Sequence, residues 1–242
     1  MVENIQGLAS KAREKRKEGE FQDAIRLYSQ CIELAGEDKA FHLSNRAITY
    51  MEAGDYSLEL EDYKYLVVIT DSRFIPDDYF IYQGICHLYL EQSQEVLPVW
   101  KKGLTAPYTD AAGGVVLPSL ILYGAERIGD PEAERLALHL LEKPATRGSE
   151  GWPGAIVPFL LGRIDTDEFL NVAHSTSSEV LRARWQCQAD FYIGLRAIRG
   201  GQFSKSKDAF RRCSNNPYGC YEAEYFLARW EVMNNFPDPA FD

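Results

Sequence analysis

Apolar residues recur at helical spacing along most of the chain, in runs separated by polar turns such as Glu18-Gly19-Glu20 and Gly54-Asp55. This pattern predicts helices in the first part of the chain over residues 4–17, 21–35, 38–53, 56–70, 77–91 and 94–105. Two more helices are predicted over 116–128 and 131–141, the second with Pro131 in its first turn. The sequence therefore predicts an all-α fold in which helices follow one another in pairs.

Two columns of residues repeat along these pairs. Small residues lie at Ala12, Ala47 and Gly84, and aromatic residues at Tyr28, Tyr63 and Trp100, so that both columns step by 35 and then 37 residues. A period of this length is typical of stacked helical hairpins. The small residue lets the two helices of a hairpin approach closely, and we expect the aromatic residue to fill the space beside the next hairpin.

The residues in this register resemble the tetratricopeptide repeat (TPR) family. The matching residues are Ala12, Gly19, Phe21, Ala24 and Tyr28 in the first copy, Ala47, Tyr50, Gly54, Tyr56 and Tyr63 in the second, and Gly84, Val96 and Trp100 in the third. The resemblance implies a TPR-like solenoid of antiparallel helical hairpins. Glu59 and Val96 stand where the family prefers Ala, and we expect the charge of Glu59 to turn outward.

A further copy lies near the C-terminus. Gly194, Gly201, Phe203, Phe210 and Cys213 have the same relative offsets as Ala12, Gly19, Phe21, Tyr28 and Cys31, which predicts a hairpin over residues 187–220. Aromatic residues at helical spacing over 221–233 predict a C-terminal capping helix. The stretch from Trp152 to Gly162, together with residues 187–194, is similar to the C-terminal part of bacterial TPR proteins, a group that includes lipoprotein adaptors.

The strongest break in the helical pattern is Lys143 to Pro153, which combines prolines and glycines. With this break, the sequence predicts three segments. Residues 1–105 form an N-terminal TPR block of three hairpins, 106–150 a further hairpin and a loop, and 151–242 a C-terminal TPR-like block with the capping helix.

Composition narrows the classes of partner. The chain has 242 residues, of which 45% are hydrophobic, enough for a folded protein throughout. Its formal net charge of −10 disfavours nucleic acid as a partner, because a polyanion would be repelled. The five cysteines lie at apolar helix positions, which favours buried reduced thiols and a cytoplasmic location. No apolar run is long enough to span a membrane, so no membrane partner is expected.

The common spacings for metal hydrolysis, nucleophilic acyl transfer and phosphate binding are absent from the sequence. The four histidines are dispersed, and a single histidine on a helix is usually structural. We therefore predict no catalytic residues, no metal and no cofactor. An enzyme whose site residues meet only in the fold stays open as an alternative.

In TPR proteins the first helix of each hairpin lines a concave face, and the resemblance places a mixed basic and aromatic groove there. The residues expected in this groove are Arg13, Arg16, Lys17, Ser44, Asn45, Ile48, Met51, Tyr82, Ile85 and Tyr89. Family members that grip the terminal carboxylate of a chaperone need cations on the third such helix, where this chain has Asp78 and Tyr82. Chaperone-tail binding is therefore not expected, although Asn45 matches.

The leading functional hypothesis is a non-catalytic module that binds a protein or peptide, possible partners including an acidic segment attracted to the basic residues of the first helix. The alternative is an immunity-type inhibitor of a toxin or nuclease, because an acidic chain suits a basic enzyme. If the groove is not the binding surface, we expect the partner to contact Phe191, Tyr192 and Arg199 instead.

Overall fold

A computed structural model describes residues 4–143 and 151–236 of the chain. Within these ranges the protein is all-helical, as the sequence predicts, and adjacent helices pack in pairs. The contacts divide the chain into two compact units, Met1–Tyr108 and Thr109–Asp242. The division into three segments at residues 105 and 150 stays a prediction.

The N-terminal unit contains three pairs of helices. They are α1 (Ile5–Lys17), α2 (Phe21–Ala35), α3 (Ala40–Ala53), α4 (Tyr56–Ile69), α5 (Asp78–Tyr89) and α6 (Ser93–Gly103). Each helix packs mainly against its neighbours in sequence, and α2, α4 and α6 begin 35 and then 37 residues apart. The predicted helices are confirmed, with ends that differ by one or two residues.

Short turns hold these helices together. The turn between α3 and α4 needs a left-handed residue, and Gly54 supplies it with a φ of 83°. The N–H of Gly54 donates to the carbonyl of Met51, so the turn also satisfies a carbonyl at the helix end. At the start of α1, the Asn4 side chain accepts from the N–H of Gly7 at 2.7 Å.

The small and aromatic columns meet inside each hairpin. A Cβ atom added to Gly84 would lie 2.1 Å from Nε1 of Trp100, and one added to Gly194 would lie 2.7 Å from the Phe210 ring. At Trp100 the contact that the structure shows lies within its own hairpin, where Gly84 leaves room for the ring, and the expectation that this aromatic fills the space beside the next hairpin stays a prediction. Tyr63 does reach onward, since its ring stacks on Tyr82 with centroids 5.3 Å apart.

Glu59 is buried, which overturns the expectation that it turns outward. Its exposed fraction is 0%, and neither carboxyl oxygen has a well-formed hydrogen bond to the described residues. The reason is that α4 packs against both α3 and α5, so this face of the helix has no solvent side. Burial raises the pKa of Glu59 well above its usual range, the nearby Cys86 thiol offsets part of this shift, and the charge of Asp62 adds a smaller increase.

The C-terminal unit is also helical throughout its described part. Its helices are α7 (Val116–Ile128), α8 (Pro131–Glu142), α9 (Ile156–Leu160), α10 (Thr166–Ala173), α11 (Glu179–Arg199), α12 (Phe203–Ser214) and α13 (Ala223–Asn234). The helices predicted over 116–128 and 131–141 are confirmed as α7 and α8. The predicted C-terminal hairpin is α11 packed on α12, and α13 packs on both. The short α9 had no predicted counterpart, and most of the predicted break, residues 144–150, lies outside the described residues.

All five cysteines are free thiols, and four of them are buried, whereas Cys220 is half-buried. The closest pair is Cys187 and Cys213, whose sulfur atoms lie 3.4 Å apart between α11 and α12. The packing of α11 on α12 brings these two cysteines together, although they are 26 residues apart. Burial and the neighbouring Cys187 raise the pKa of the Cys213 thiol.

Candidate protein-binding surface

The cations of α1 fall into two classes. Arg16 donates twice to the Glu52 carboxylate on α3, at 2.6 and 3.1 Å, and both side chains are more than four-fifths buried. Lys15 pairs with Glu18 and Glu20 at the end of α1. Arg13 and Lys17 are exposed and form no ion pair with the described residues. The basic run of the sequence thus presents fewer available charges than its composition indicates.

The Arg16–Glu52 pair also fixes how the surface is built. Because the two planar groups meet through two hydrogen bonds, α1 and α3 are held side by side at this point. A partner that used Arg16 would first have to break this pair. Arg16 therefore positions the surface, and Arg13 and Lys17 are exposed cations of α1 that a partner can reach.

The two polar residues of α3 that the sequence placed in the groove, Ser44 and Asn45, are turned back onto their own helix. The Ser44 hydroxyl donates to the carbonyl of Ala40, and the Asn45 amide donates to the carbonyl of Phe41 at 2.8 Å. The amide oxygen of Asn45 stays available as an acceptor. Ile48 is half-buried in the next turn, so α3 presents a partly apolar surface rather than a row of polar contacts.

Two of the predicted groove residues lie in the core. Met51 is 1% exposed and Ile85 is 0% exposed. Neither can contact a partner, because neighbouring side chains cover them in the folded chain. The register placed Met51 and Ile85 on the inner side of the first helices. Counting positions along the repeat does not show which of the residues on that side are covered by neighbouring side chains.

The aromatic residues expected on α5 are half-buried and engaged with α4. Tyr82 stacks on Tyr63, with centroids 5.3 Å apart, and Tyr89 stacks on Tyr56 at 4.1 Å. Such stacking orders the rings and joins the second hairpin to the third. Stacking therefore covers one face of each ring.

One exposed apolar residue of this region was missed by the sequence analysis. Phe41, at the start of α3, is 61% exposed. It lies four residues before Asn45, so it belongs to the same side of α3 as the predicted residues. Its helical spacing to Asn45 and Ile48 was the signal that could have identified it.

The histidines show no pairing of a base with a nucleophile. Nδ1 of His87 lies 2.7 Å from the amide oxygen of Gln92, His174 contacts Gln186, and His42 is buried with its pKa lowered by burial. Among residues 4–143 and 151–236, no group of three or more His, Cys, Asp or Glu side chains is placed to hold a metal ion. The helices of the described part are all too short or too polar to cross a membrane.

The polar residues inside the C-terminal unit form networks with one another. Glu231 accepts hydrogen bonds from the Tyr123 hydroxyl at 2.7 Å and from Arg127 at 2.5 and 2.6 Å. Phe191 and Tyr192 are both 0% exposed, so neither can contact a partner. The alternative binding surface expected at these two residues and Arg199 is therefore wrong for the two aromatic residues. Arg199 itself pairs with Glu134 at 2.8 Å.

No protein-family model matches the sequence, and no curated protein matches it either. The proposal for function therefore depends on the helical hairpins, on the small-to-aromatic contacts within them and on the surface of α1 and α3.

Proposed function

We propose that the chain is a non-catalytic binding module on the plan of a TPR protein, and that it holds a protein or peptide partner on the surface of α1 and α3. The proposal is supported by the repeated hairpins, whose second helices begin at steps of 35 and 37 residues. Repeats of this kind join rigid helices into an extended surface, which suits a partner larger than a small molecule.

The single observation that carries the proposal is the side-chain composition of this surface. Arg13 and Lys17 are exposed cations that form no ion pair with the described residues, and Phe41 exposes most of its ring. A partner segment with acidic and apolar residues would complement both features, because charge pairing orients the segment and apolar burial adds affinity. The surface excludes Met51 and Ile85 and is therefore narrower than the groove predicted from the register.

The charge-reversal variant Arg13→Glu/Lys17→Glu tests this proposal. The wild-type chain is used to capture partners from lysate of its native cell, and the captured protein is then titrated against wild type and variant. We expect a loss of affinity of tenfold or more, since interfacial charges contribute about 2–5 kcal/mol when buried. Arg16 is left unchanged, because its reversal would disrupt the pair with Glu52.

The matched control is Arg26→Glu/Arg163→Glu, which changes the net charge equally at two exposed positions outside α1 and α3. It should bind as the wild type does. Equal loss in both variants would show that only the overall charge matters, and the proposed surface would then be wrong. Unchanged circular dichroism in each variant establishes that the fold is intact.

A further inference from the structure

The repeat relates two successive grooves between the second helices of neighbouring hairpins. The first groove lies between α2 and α4 and has α3 as its floor, while the next lies between α4 and α6 and has α5 as its floor. Applying the steps of 35 and 37 residues, Ser29, Arg46 and Asp62 of the first groove correspond to Lys64, Gln83 and Val99 of the next.

In the first groove these three residues form a complete cluster. The Arg46 guanidinium donates to both carboxylate oxygens of Asp62, at 2.8 and 2.7 Å, and to the hydroxyl of Ser29 at 2.9 Å. The guanidinium therefore bridges α2 and α4, and every partner is supplied by the chain itself. The charges of Arg46 and Asp62 are therefore paired with each other in this groove.

In the next groove the corresponding residues leave the cluster incomplete. Val99 stands in place of the carboxylate, Gln83 in place of the guanidinium, and Lys64 in place of the hydroxyl. A cavity of about 590 Å³ lies here, lined by all three of them. Gln83 is only 6% exposed, and its amide nitrogen makes no hydrogen bond to the described residues. An unsatisfied buried amide calls for a partner from outside the chain.

The charges around the cavity favour an anion at one end. Lys64 and Lys102 both line it, and neither forms an ion pair with the described residues. Glu95 also lines it, one helical turn before Val99 and about 6 Å along the axis of α6, whereas Lys102 lies three residues after Val99, so the anion is expected on the Lys102 side of Val99. His87, the remaining titratable group, is bonded through Nδ1 to the amide oxygen of Gln92 at 2.7 Å.

We propose that this cavity binds a carboxylate, whose oxygens take the place that the Asp62 carboxylate holds in the preceding groove. Lys64 and Lys102 supply the opposite charge, and the Gln83 amide donates from the floor. The last torsion of a glutamine side chain is broad and nearly two-fold, so the N–H of Gln83 can turn toward the bound oxygen. The site is separate from the surface of α1 and α3 and does not depend on the function proposed for that surface.

The carboxylate has two possible sources, a small free acid or an acidic side chain of a peptide. Isothermal titration of the full chain with succinate tests the first, and titration with the peptide acetyl-Glu-Glu-Glu-amide tests the second. Saturable binding of either probe supports the proposal, and the probe that binds more tightly identifies the source. Absence of saturable binding by both probes would overturn it.

Two lysine variants locate the site. Lys64→Gln removes a cation from the cavity and should weaken binding of the better probe by about tenfold, the usual effect of one charge-assisted hydrogen bond. Lys17→Gln removes the same charge from α1 and should change the affinity less than twofold. Equal losses in the two variants would mean that the probe responds to net charge alone, and the proposed site would be wrong.

The repeat also supplies a variant that closes the site from within. Val99→Asp restores a carboxylate at the position of Asp62, where it can pair with Lys64, and should abolish binding of the probe. Val99→Asn, which adds the same volume without the charge, should keep binding within a few-fold of wild type. Full binding by a folded Val99→Asp variant, as judged by its thermal unfolding, would overturn the proposal.

Discussion

The two units of the protein differ in how many buried polar side chains lack a hydrogen bond to the described residues: the Ser206 hydroxyl is one in the C-terminal unit, whereas the N-terminal unit has several beside the fully paired Asp62. In the C-terminal unit the buried acids are surrounded by donors: Glu231 by Tyr123 and Arg127, and Glu224 by Tyr192 and Gln188. The donors come from helices distant in sequence, so Glu231 joins α13 to α7 and Glu224 joins α13 to α11. Their buried charges are paired and hydrogen-bonded, the condition under which a charge is tolerated inside a protein.

The N-terminal unit buries several polar groups without partners. Nδ1 of His42, the Gln83 amide nitrogen and the Tyr28 hydroxyl are buried and make no hydrogen bond to the described residues, and the buried Glu59 carboxylate has only the weak donor of the nearby Cys86 thiol. Such groups lower stability, because each loses its hydration and gains nothing in return. The difference indicates that polar residues stabilise the packing in the C-terminal unit, whereas in the N-terminal unit some of them serve another purpose, as we propose for Gln83.

The largest loss of stability is expected when a hydrogen-bond network of the C-terminal unit is broken. Glu231→Ala leaves Arg127 and Tyr123 without their acceptor in the interior, and removal of one member of a buried ion pair typically costs about 3–5 kcal/mol. Denaturant unfolding followed by circular dichroism measures this loss. The control is Glu132→Ala on α8, an acid with a side chain that is 84% exposed, which should change stability by less than about 1 kcal/mol. Similar losses of stability for the two variants would contradict the conclusion that the buried network around Glu231 stabilises the C-terminal unit.

A smaller loss of stability is expected from substitutions at a packing feature that the two units share. Both use a glycine against an aromatic ring, Gly84 against Trp100 and Gly194 against Phe210. A leucine at either glycine forces the helices apart, and such overpacking costs about 1–3 kcal/mol. Gly84→Leu should be the more severe, because the added Cβ alone would lie 2.1 Å from the Trp100 ring.

Gly151→Leu is the control for this pair, since nothing lies within 4 Å of a Cβ added there. Its midpoint of thermal unfolding should stay close to that of the wild type. If the Gly84 and Gly194 variants melted at the wild-type temperature as well, the register of the repeats would be wrong in both units.

The helices were predictable because apolar periodicity and turn residues are local signals. The small-to-aromatic columns were also predictable, since a period of 35 to 37 residues is visible in the sequence without any structure. The partners of individual charges were not. Arg16 and Glu52 are 36 residues apart and pair only because α1 and α3 lie side by side. Local spacing carries no information about such contacts.

Burial of single residues was the other failure, and Glu59 shows why. Counting the register placed Glu59 in the column that packs against the neighbouring helix, which is where the structure has it. The expectation that its charge would turn outward relied on the residue type alone. A helix enclosed by two others offers no outward direction on that face, so position decided the outcome and the carboxyl group has to adapt by changing its pKa.

The most pH-dependent effect concerns Glu59. In the unfolded chain a glutamate has a pKa of about 4.3, whereas burial raises the pKa of Glu59 in the folded protein. Below the unfolded value both states hold the proton, and Glu59 does not oppose folding. As the pH rises above it, the unfolded state loses its proton first, so stability falls by up to about 1.4 kcal/mol per pH unit until the folded group ionises.

Glu59→Gln removes this titration while keeping the size of the side chain. The variant should match the wild type near pH 4 and become the more stable of the two as the pH rises to 7, measured as the difference in unfolding free energy across that range. Glu224→Gln in the C-terminal unit should instead destabilise the protein at pH 7, because Tyr192 and Gln188 donate to that carboxylate. Loss of stability at pH 7 in both variants would mean that Glu59 has a partner as Glu224 does, and the contrast between the two units would not hold at its clearest residue.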